Sequence, residues 1–384
     1  MKTMKKLNGS IALMLVVFII SCNTQSKQKE ITVETDQNGV AILTDDQIEN
    51  LVKRSYQYVA MYNVNNKFAL RQGGWNTILA DTQLKDHTLT DIARPNNDSF
   101  YTSALLDLRG EPIIMDLPAF DSKYVSLMVT AYDHYVDVPK ATRNGDFRKL
   151  EKILFYSDRT EGYNGEPVQG VDMIYKTTGD FVSAVFRIMP HANDPERFNK
   201  IVETIGTIKI QTLSEYQGEE PKIAKEIDFP KVGQTDLDVF KNNLLEVMQF
   251  VFNHISFDPN DEEDQAVLEA YKPLDIVPGK EFNPDGIKID GERFYSSAEQ
   301  IQQEYLGKLS DPNLFKVMAP KMFKTKGLTD LETILTVSII GPIGLPMEEA
   351  MYPAVTTNNG EPMNAINDYI IKMTKNQLPP AGAF

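Results

Sequence analysis

Cysteine is almost absent from this chain: Cys22 is the only one among 384 residues. No internal disulfide can form, whatever the redox state of the compartment, so stability must come from buried apolar surface. Long apolar runs are equally scarce. Beyond Cys22 none reaches the roughly 20 residues that span a bilayer. Leu331 to Ile340 comes nearest, but it carries Glu332 and stops at Gly341-Pro342, which predicts a buried helix or strand. The four histidines, His87, His134, His191 and His254, are scattered, with no pair at metal-ligand spacing. Basic charge is in deficit, with Lys+Arg 39 against Asp+Glu 54 and a net charge of −15. Such a field repels nucleic acid and anionic lipid surfaces and excludes them as main partners. Also missing are Gly-x-Ser-x-Gly, His-Glu-x-x-His, a phosphate-binding loop and a dinucleotide fingerprint. The common hydrolase and nucleotide-dependent mechanisms therefore have no sequence basis, and no cofactor is implied.

What is present begins with the surroundings of Cys22. Lys2, Lys5 and Lys6 form a cationic head, Leu13 to Ile20 an apolar core too short to span, and Ser21 a small residue before the cysteine. A core cysteine after an apolar strand is the structural alternative, but this charge order is that of an export signal. The run resembles a bacterial lipoprotein lipobox. The resemblance implies a signal peptide over residues 1–21, cleavage before Cys22, lipid on its thiol, and a mature protein anchored to a membrane of the cell envelope. Processing would remove three lysines and leave 36 cations against 54 anions, about −18. Residues 22–43, with Gln25, Lys27, Gln28, Lys29 and Glu30, read as a polar tether.

The body has 42% apolar and 24% charged residues, an ordinary globular composition, and a length that suggests two domains. Thr44 with Gln47 forms a capping-box pattern ahead of Ile48, Leu51, Val52, Tyr56 and Val59, which predicts an amphipathic helix over Thr44 to Met61. Short runs with turn signals between them then predict strands at Phe100 to Leu108, Pro112 to Leu117, Tyr124 to Tyr132, Lys152 to Tyr156, Val171 to Lys176 and Val182 to Met189. Short connections favour antiparallel pairing in a sandwich or jelly-roll layer. Asp194-Pro195 starts a second helix through Ile205. A polar stretch from Ser214 to Thr235 precedes a third over Leu237 to Ile255. Two more are expected at Asp261 to Tyr271 and Ser297 to Leu309, and strands at Met351 to Thr357 and Tyr369 to Met373.

Arg94-Pro95-Asn96-Asn97-Asp98-Ser99-Phe100-Tyr101, then Asp107-Leu108, Pro118, Lys123 to Leu127, Ala131-Tyr132-Asp133 and Arg187, resemble the family called domain of unknown function 1254. Tyr352-Pro353 through Gly360, Tyr369 and Leu378 to Phe384 resemble its usual companion, domain of unknown function 1214. The resemblance runs from about Ile48 to the end of the chain. It implies a mixed α+β, β-rich protein with two antiparallel, jelly-roll-like domains bridged by helices, exported or in the envelope, with activity mostly unassigned. On this reading residues 44–213 hold the first helix and first β domain, 214–330 a helical connector, and 331–384 the start of a second, incomplete β domain. Val138 to Gly145 departs from the Gly- and Thr-rich turn of the family, and the companion's later strands have no counterpart before Phe384.

Candidate chemistry concentrates in two places. Arg94, Asn96, Asn97, Asp98 and Tyr101 gather donors, acceptors and a carboxylate just before a strand, where a scaffold holds them rigidly. Asp98 could take a proton or a cation, Arg94 a carboxylate or phosphate, Tyr101 a ring. The same residues are also what a turn and a strand start require. The second place is Tyr132 to Asp137, where strand alternation would put Asp133, Tyr135 and Asp137 on one face for acid–base work, or simply in solvent. Asp107, Tyr124 and Tyr132 complete the candidate ligand-binding set. The acidic run Asp261 to Asp264 reads as a helix start and not as a calcium loop. Two functions remain: a lipid-anchored protein binding a small molecule, glycan or protein partner, with Trp75, Tyr101 and Tyr135 lining a groove; or an envelope enzyme using Asp98 or Asp133 with Arg94 and Tyr101, with or without a metal.

Overall fold

The computed structural model describes residues 33–85, 88, 98–222, 224–308, 311–350, 357–359, 363, 364 and 366–377. Cys22, Arg94, Asn96 and Asn97, and all of Met351 to Thr357 except Thr357, lie outside them.

Helix α1 runs Asp45–Gln72. Its start is the expected capping box: the Gln47 amide donates to Thr44 Oγ1 at 3.2 Å, and Gln47 Oε1 accepts from the Thr44 amide at 2.8 Å. The helix continues eleven residues past Met61 to Gly73, whose φ of 96° closes it. The apolar periodicity fades there because the buried face turns to amide. Asn63 donates to Asp236 at 2.8 Å and accepts from the Gly233 amide at 2.9 Å, while Asn66 donates to the Tyr132 hydroxyl at 2.9 Å.

Among the described residues nine strands follow. One sheet has the order β1 (Thr77–Asp81), β2 (Phe100–Asp107), β8 (Phe181–Ile188), β4 (Val125–Thr130), β5 (Val136–Ala141); the other β7 (Met173–Lys176), β6 (Glu151–Tyr156), β3 (Ile113–Leu117), β9 (Lys209–Thr212). All pairs are antiparallel except β6 with β7, which is parallel. Phe100, Leu106, Val125, Leu127 and Phe186 of the first sheet meet Ile113, Met115, Ile153 and Phe155 of the second in one core. Helix α2 (Pro195–Ile205), capped by Asp194 as expected, closes it with Ile201 and Ile205.

The outer face of the five-stranded sheet is covered by helices. Around α1 pack α4 (Asp236–Asn242), α5 (Leu244–His254), α6 (Glu262–Tyr271), α7 (Gly291–Lys308) and α9 (Leu331–Ile340). Tyr132 and Phe181 join this second core beneath Tyr62, Phe240, Val247 and Leu335. Every residue of β8 is therefore buried, because both of its faces are covered.

The mixed α+β class holds, with helix at 36% against strand at 18%, so helix outweighs the strand-led expectation. Three strands were not anticipated. β1 is only half buried, β9 is polar, and β5 contains Pro139, tolerated because β5 is a sheet edge. The strand expected over Tyr132 to Asp137 is a turn through Tyr132 and Asp133 that leads into β5, with His134 at φ 68°. The helix expected over Leu237 to Ile255 breaks at Asn243, whose side chain donates to the Lys231 carbonyl at 2.9 Å. Short helices at Leu213–Gln217 (α3) and Pro312–Met318 (α8) were unforeseen, and Leu331 to Ile340 is helix. Tyr369 to Met373 forms no strand, and among the described residues none follows β9.

Helices α4 and α7 approach closely at Gly291, the first residue of α7, where a Cβ would lie 1.9 Å from the Lys241 carbonyl of α4. Gly291→Ala should destabilise the protein by about 1–3 kcal/mol through overpacking, measured as a lower midpoint in urea with an unchanged m-value.

Candidate functional site

The turn before β5 is held by strain and its compensation. His134 sits in the left-handed region, which a non-glycine residue adopts at a cost of order 1 kcal/mol. Its buried ring is pinned between Ser338 Oγ, 2.8 Å from Nδ1, and the Pro342 carbonyl, 2.6 Å from Nε2. Burial pushes the imidazole pKa down to about 4, so the ring is neutral, and Nε2–H donates to the Pro342 carbonyl, while the Ser338 hydroxyl beside Nδ1 is also within reach of the Ile334 carbonyl at 2.7 Å. Gln57 of α1 donates to the Asp133 carbonyl at 2.8 Å, fixing the residue before it.

Asp133 and Asp137 then meet over Thr178, in the loop between β7 and β8. Thr178 Oγ1 lies 2.9 Å from Asp133 Oδ1 and 3.2 Å from Asp137 Oδ2, and the Thr178 amide donates to Asp137 Oδ2 at 3.0 Å. Lys326 faces them, with Nζ 3.7 Å from Asp133 Oδ2, 2.7 Å from Asp264 Oδ2 and 5.2 Å from the Tyr135 ring centre. It also donates to the Ser256 carbonyl at 3.0 Å. Burial opposes the lysine's charge, yet Asp133 and Asp264 hold its pKa above the ordinary range. Asp133 has no exposed surface, and burial, only partly offset by Lys326, raises its pKa to about 6. Asp137 keeps some solvent contact but is crowded on all sides. Burial first, and Asp133 second, push its carboxyl well above the usual range.

The arrangement can relay a proton. Thr178 Oγ1 is within reach of both carboxylates, and its one hydroxyl proton can turn to either. Two carboxylates joined this way share one proton more readily than they carry two charges.

On the other side of the same loop, Asp180 is fully buried and accepts from Ser157 at 2.7 Å, Arg159 Nε at 2.9 and 2.8 Å, and lies 2.8 Å from His254 Nδ1. Burial opposes ionisation of Asp180, but the bonds from His254 and Arg159 win and keep its pKa low. Gly179 separates the two clusters, and a Cβ there would stand 2.8 Å from Ala131 Cβ and 2.9 Å from the His254 carbonyl.

The expected site residues are not brought together as a set. Asp98 and Tyr101 lie at the start of β2, with Tyr101 opposite Arg187; Asp107 lies at its other end, opposite Phe181. Six residues of strand separate Tyr101 from Asp107 by about 20 Å. Asp133 is on the Asp107 side, so no pocket unites it with Asp98 or Tyr101. Asp107 is engaged by Arg109 through two bonds of 2.9 and 2.7 Å. Tyr124 donates to Ser126 at 3.1 Å. Tyr132 is a core residue among Tyr62, Trp75, Phe181 and Phe250. Trp75 and Tyr135 also pack into cores and line no common groove with Tyr101. Asp133 and Asp137 are brought together as expected, by a turn and not by strand alternation, and their face is buried and not solvated. Thr178, Lys326, Asp264, Asp180 and His254 were missed. The run ending at Asp264 does start a helix, capped by Asp261, but Asp264 itself points at Lys326. Among the described residues no cluster is suited to hold a metal ion, and no helix is long and apolar enough to cross a membrane.

One groove of about 230 Å³ lies beside β5. Leu127, Met128, Val136, Phe323, Leu328 and Leu345 line it, with Lys140, Arg143, Lys324, Glu348 and Glu349 around them.

Asp133 predicts a pH signature. Its pKa is near 6 folded and about 3.9 unfolded. The folded protein therefore binds its proton more tightly, and its contribution to stability is present at low pH and is lost as pH rises from about 4 to 6. Asp133→Asn should flatten the thermal midpoint across that window relative to wild type; an identical profile would show that Asp133 does not titrate there.

Residues 75–211 match the family model described as protein of unknown function (DUF1254). No curated protein matches the chain. The VPA0106 protein from Vibrio parahaemolyticus has a similar fold, with a TM-score of 0.58 and 21% identity over 78% of this chain and 68% of that one. An uncharacterized protein from Burkholderia cenocepacia gives a TM-score of 0.23 at 10% identity over 42% of this chain and 54% of that one. What these comparisons describe is a fold and a family of unknown function over the β sandwich.

Proposed function

We propose that this is a lipid-anchored cell-envelope protein that binds a ligand or partner, and that the groove beside β5 is its binding surface. We read its sandwich as jelly-roll-like, with strands alternating between two sheets, and its C-terminal segment as related to the companion domain.

The groove is the observation that carries this reading. Its floor is apolar, while its rim charges neutralise one another: Lys324 with Glu348 at 2.5 Å, Arg143 with Glu349 at 2.9 Å, Lys140 with Asp146 at 2.8 Å. A rim without free charge favours a neutral ligand. At about 230 Å³ the space is smaller than the roughly 300–1,000 Å³ that enclose a drug-sized molecule. It suits one ring or a short alkyl group of something larger, such as the apolar end of a glycoside or a side chain of a partner protein.

A second reading, an envelope enzyme, is favoured by the chain from Asp137 through Thr178 to Asp133, two carboxyls of raised pKa one hydroxyl apart. Its site would then be these residues with Lys326, without Asp98, Arg94 or Tyr101.

Phenyl and hexyl glucosides test the groove. Either should raise the unfolding midpoint of the full chain, by about 2.7 kcal/mol of stabilisation at a hundredfold excess over its dissociation constant. Leu328→Asp, at a side chain that is 64% exposed and so tolerates charge, should abolish the shift. An equal shift in both proteins would place binding elsewhere. The anchor has its own test: Cys22→Ser should move the protein from the membrane fraction to the soluble one, and continued membrane attachment would refute lipidation at that residue.

A further inference from the structure

Arg187 is a buried cation without a counter-charge among the described residues. It is 8% exposed, next to last in β8, and no carboxylate among the described residues pairs with it. Nη2 donates to the Ile343 carbonyl at 2.9 Å, Nε is buried without a partner, and Nη1 makes no hydrogen bond but is not sealed from solvent. The other buried charges described above, Asp133, Asp180, Asp264 and Lys326, face opposite charges. A guanidinium taken out of water with one neutral acceptor is a costly exception, and its donors remain available.

The sheet register surrounds Arg187 with suitable neighbours. Tyr101 lies directly opposite on β2 and Ser126 directly opposite on β4, so all three side chains stand in one row on the helix-covered face of the sheet. The Tyr101 ring centre is 5.8 Å from the guanidinium carbon, and Tyr101 keeps some solvent contact. Ser126, 1% exposed, accepts from the Tyr124 hydroxyl at 3.1 Å, which leaves its own O–H to donate. Asp81 ends the row beyond Tyr101, but Lys85 and the Gln83 amide already engage it.

We propose that Arg187, with Ser126 beside it and Tyr101 as a wall, is a carboxylate-binding site. The planar fork of an arginine matches the two oxygens of a carboxylate, and a nearby hydroxyl adds a third donor. A singly charged carboxylate is neutralised by one arginine, whereas a phosphate dianion would carry surplus charge into a strongly acidic protein. The site lies on β8 and stands independently of the groove beside β5.

Sodium acetate, inorganic phosphate and sodium chloride, compared at constant ionic strength on the full chain, test the assignment by thermal unfolding. Acetate should raise the midpoint saturably and chloride should not. Arg187→Met should abolish the acetate shift, and without acetate should melt at or above the wild-type temperature, since it removes an uncompensated buried charge. Arg187→Lys keeps the charge without the fork, and Ser126→Ala removes a donor; each should weaken acetate by about tenfold or more. The proposal is overturned if acetate and chloride act alike on wild type, if phosphate stabilises more than acetate, or if Arg187→Lys binds acetate as well as wild type does. It is equally overturned if Arg187→Met folds and keeps the shift, or melts well below wild type while wild type ignores acetate, since the arginine would then serve only to hold Ile343.

Discussion

Strand β8 has no solvent face. All eight of its residues are buried, one side packed into the sandwich and the other under the helices. Each neighbour of β8 is positioned by that double packing. β2 and β4 flank it in register over their full lengths, α1 and α5 lie over its start through Phe181, and the turn before β5 is drawn against the loop that leads into it. A strand in this position cannot alternate apolar and polar residues as a one-sided sheet does, so any polar side chain it carries must find a partner or a purpose inside the protein. Ser183 finds Thr130 at 3.2 Å. Arg187 finds a backbone carbonyl and the Tyr101 ring, and no carboxylate among the described residues.

The loop ahead of β8 divides the buried charge into two clusters. Thr178 serves Asp133 and Asp137 on one side, Asp180 binds Arg159 and His254 on the other, and Gly179 lets the chain pass between Ala131 and the His254 carbonyl. The clusters have opposite electrostatic outcomes for a stated reason. Asp180 receives enough donors to remain ionised despite burial. Asp133 and Asp137 receive one shared threonine and a lysine also committed to Asp264, so burial dominates and their protons are held more tightly. Loss of a charge there is cheaper than loss of a charge at Asp180, and proton exchange is correspondingly easier.

Helix starts were legible in the chain because a cap is a local interaction. Thr44 with Gln47, Asp194 with Pro195, and Asp261 all behave as their spacing dictates. Six strands were legible for a similar reason, since they carry runs of apolar residues between turn signals. The edges were not: β5 carries Pro139 and Lys140, β9 carries Lys209 and Gln211, and only their partners make them strands. The extension of α1 beyond Met61 was hidden because Asn63 and Asn66 are satisfied by Asp236, Gly233 and Tyr132, all distant in the chain.

By itself, then, the amino-acid order determined the caps, most of the strands and the mixed α+β class, because each rests on contacts within a few residues. Tertiary structure alone decided which polar groups meet. Asp133 and Thr178 are 45 residues apart, Asp180 and His254 74 residues apart, and Arg187 and Ile343 156 residues apart. No local pattern encodes such pairs; they exist because two sheets and a layer of helices close on one central strand.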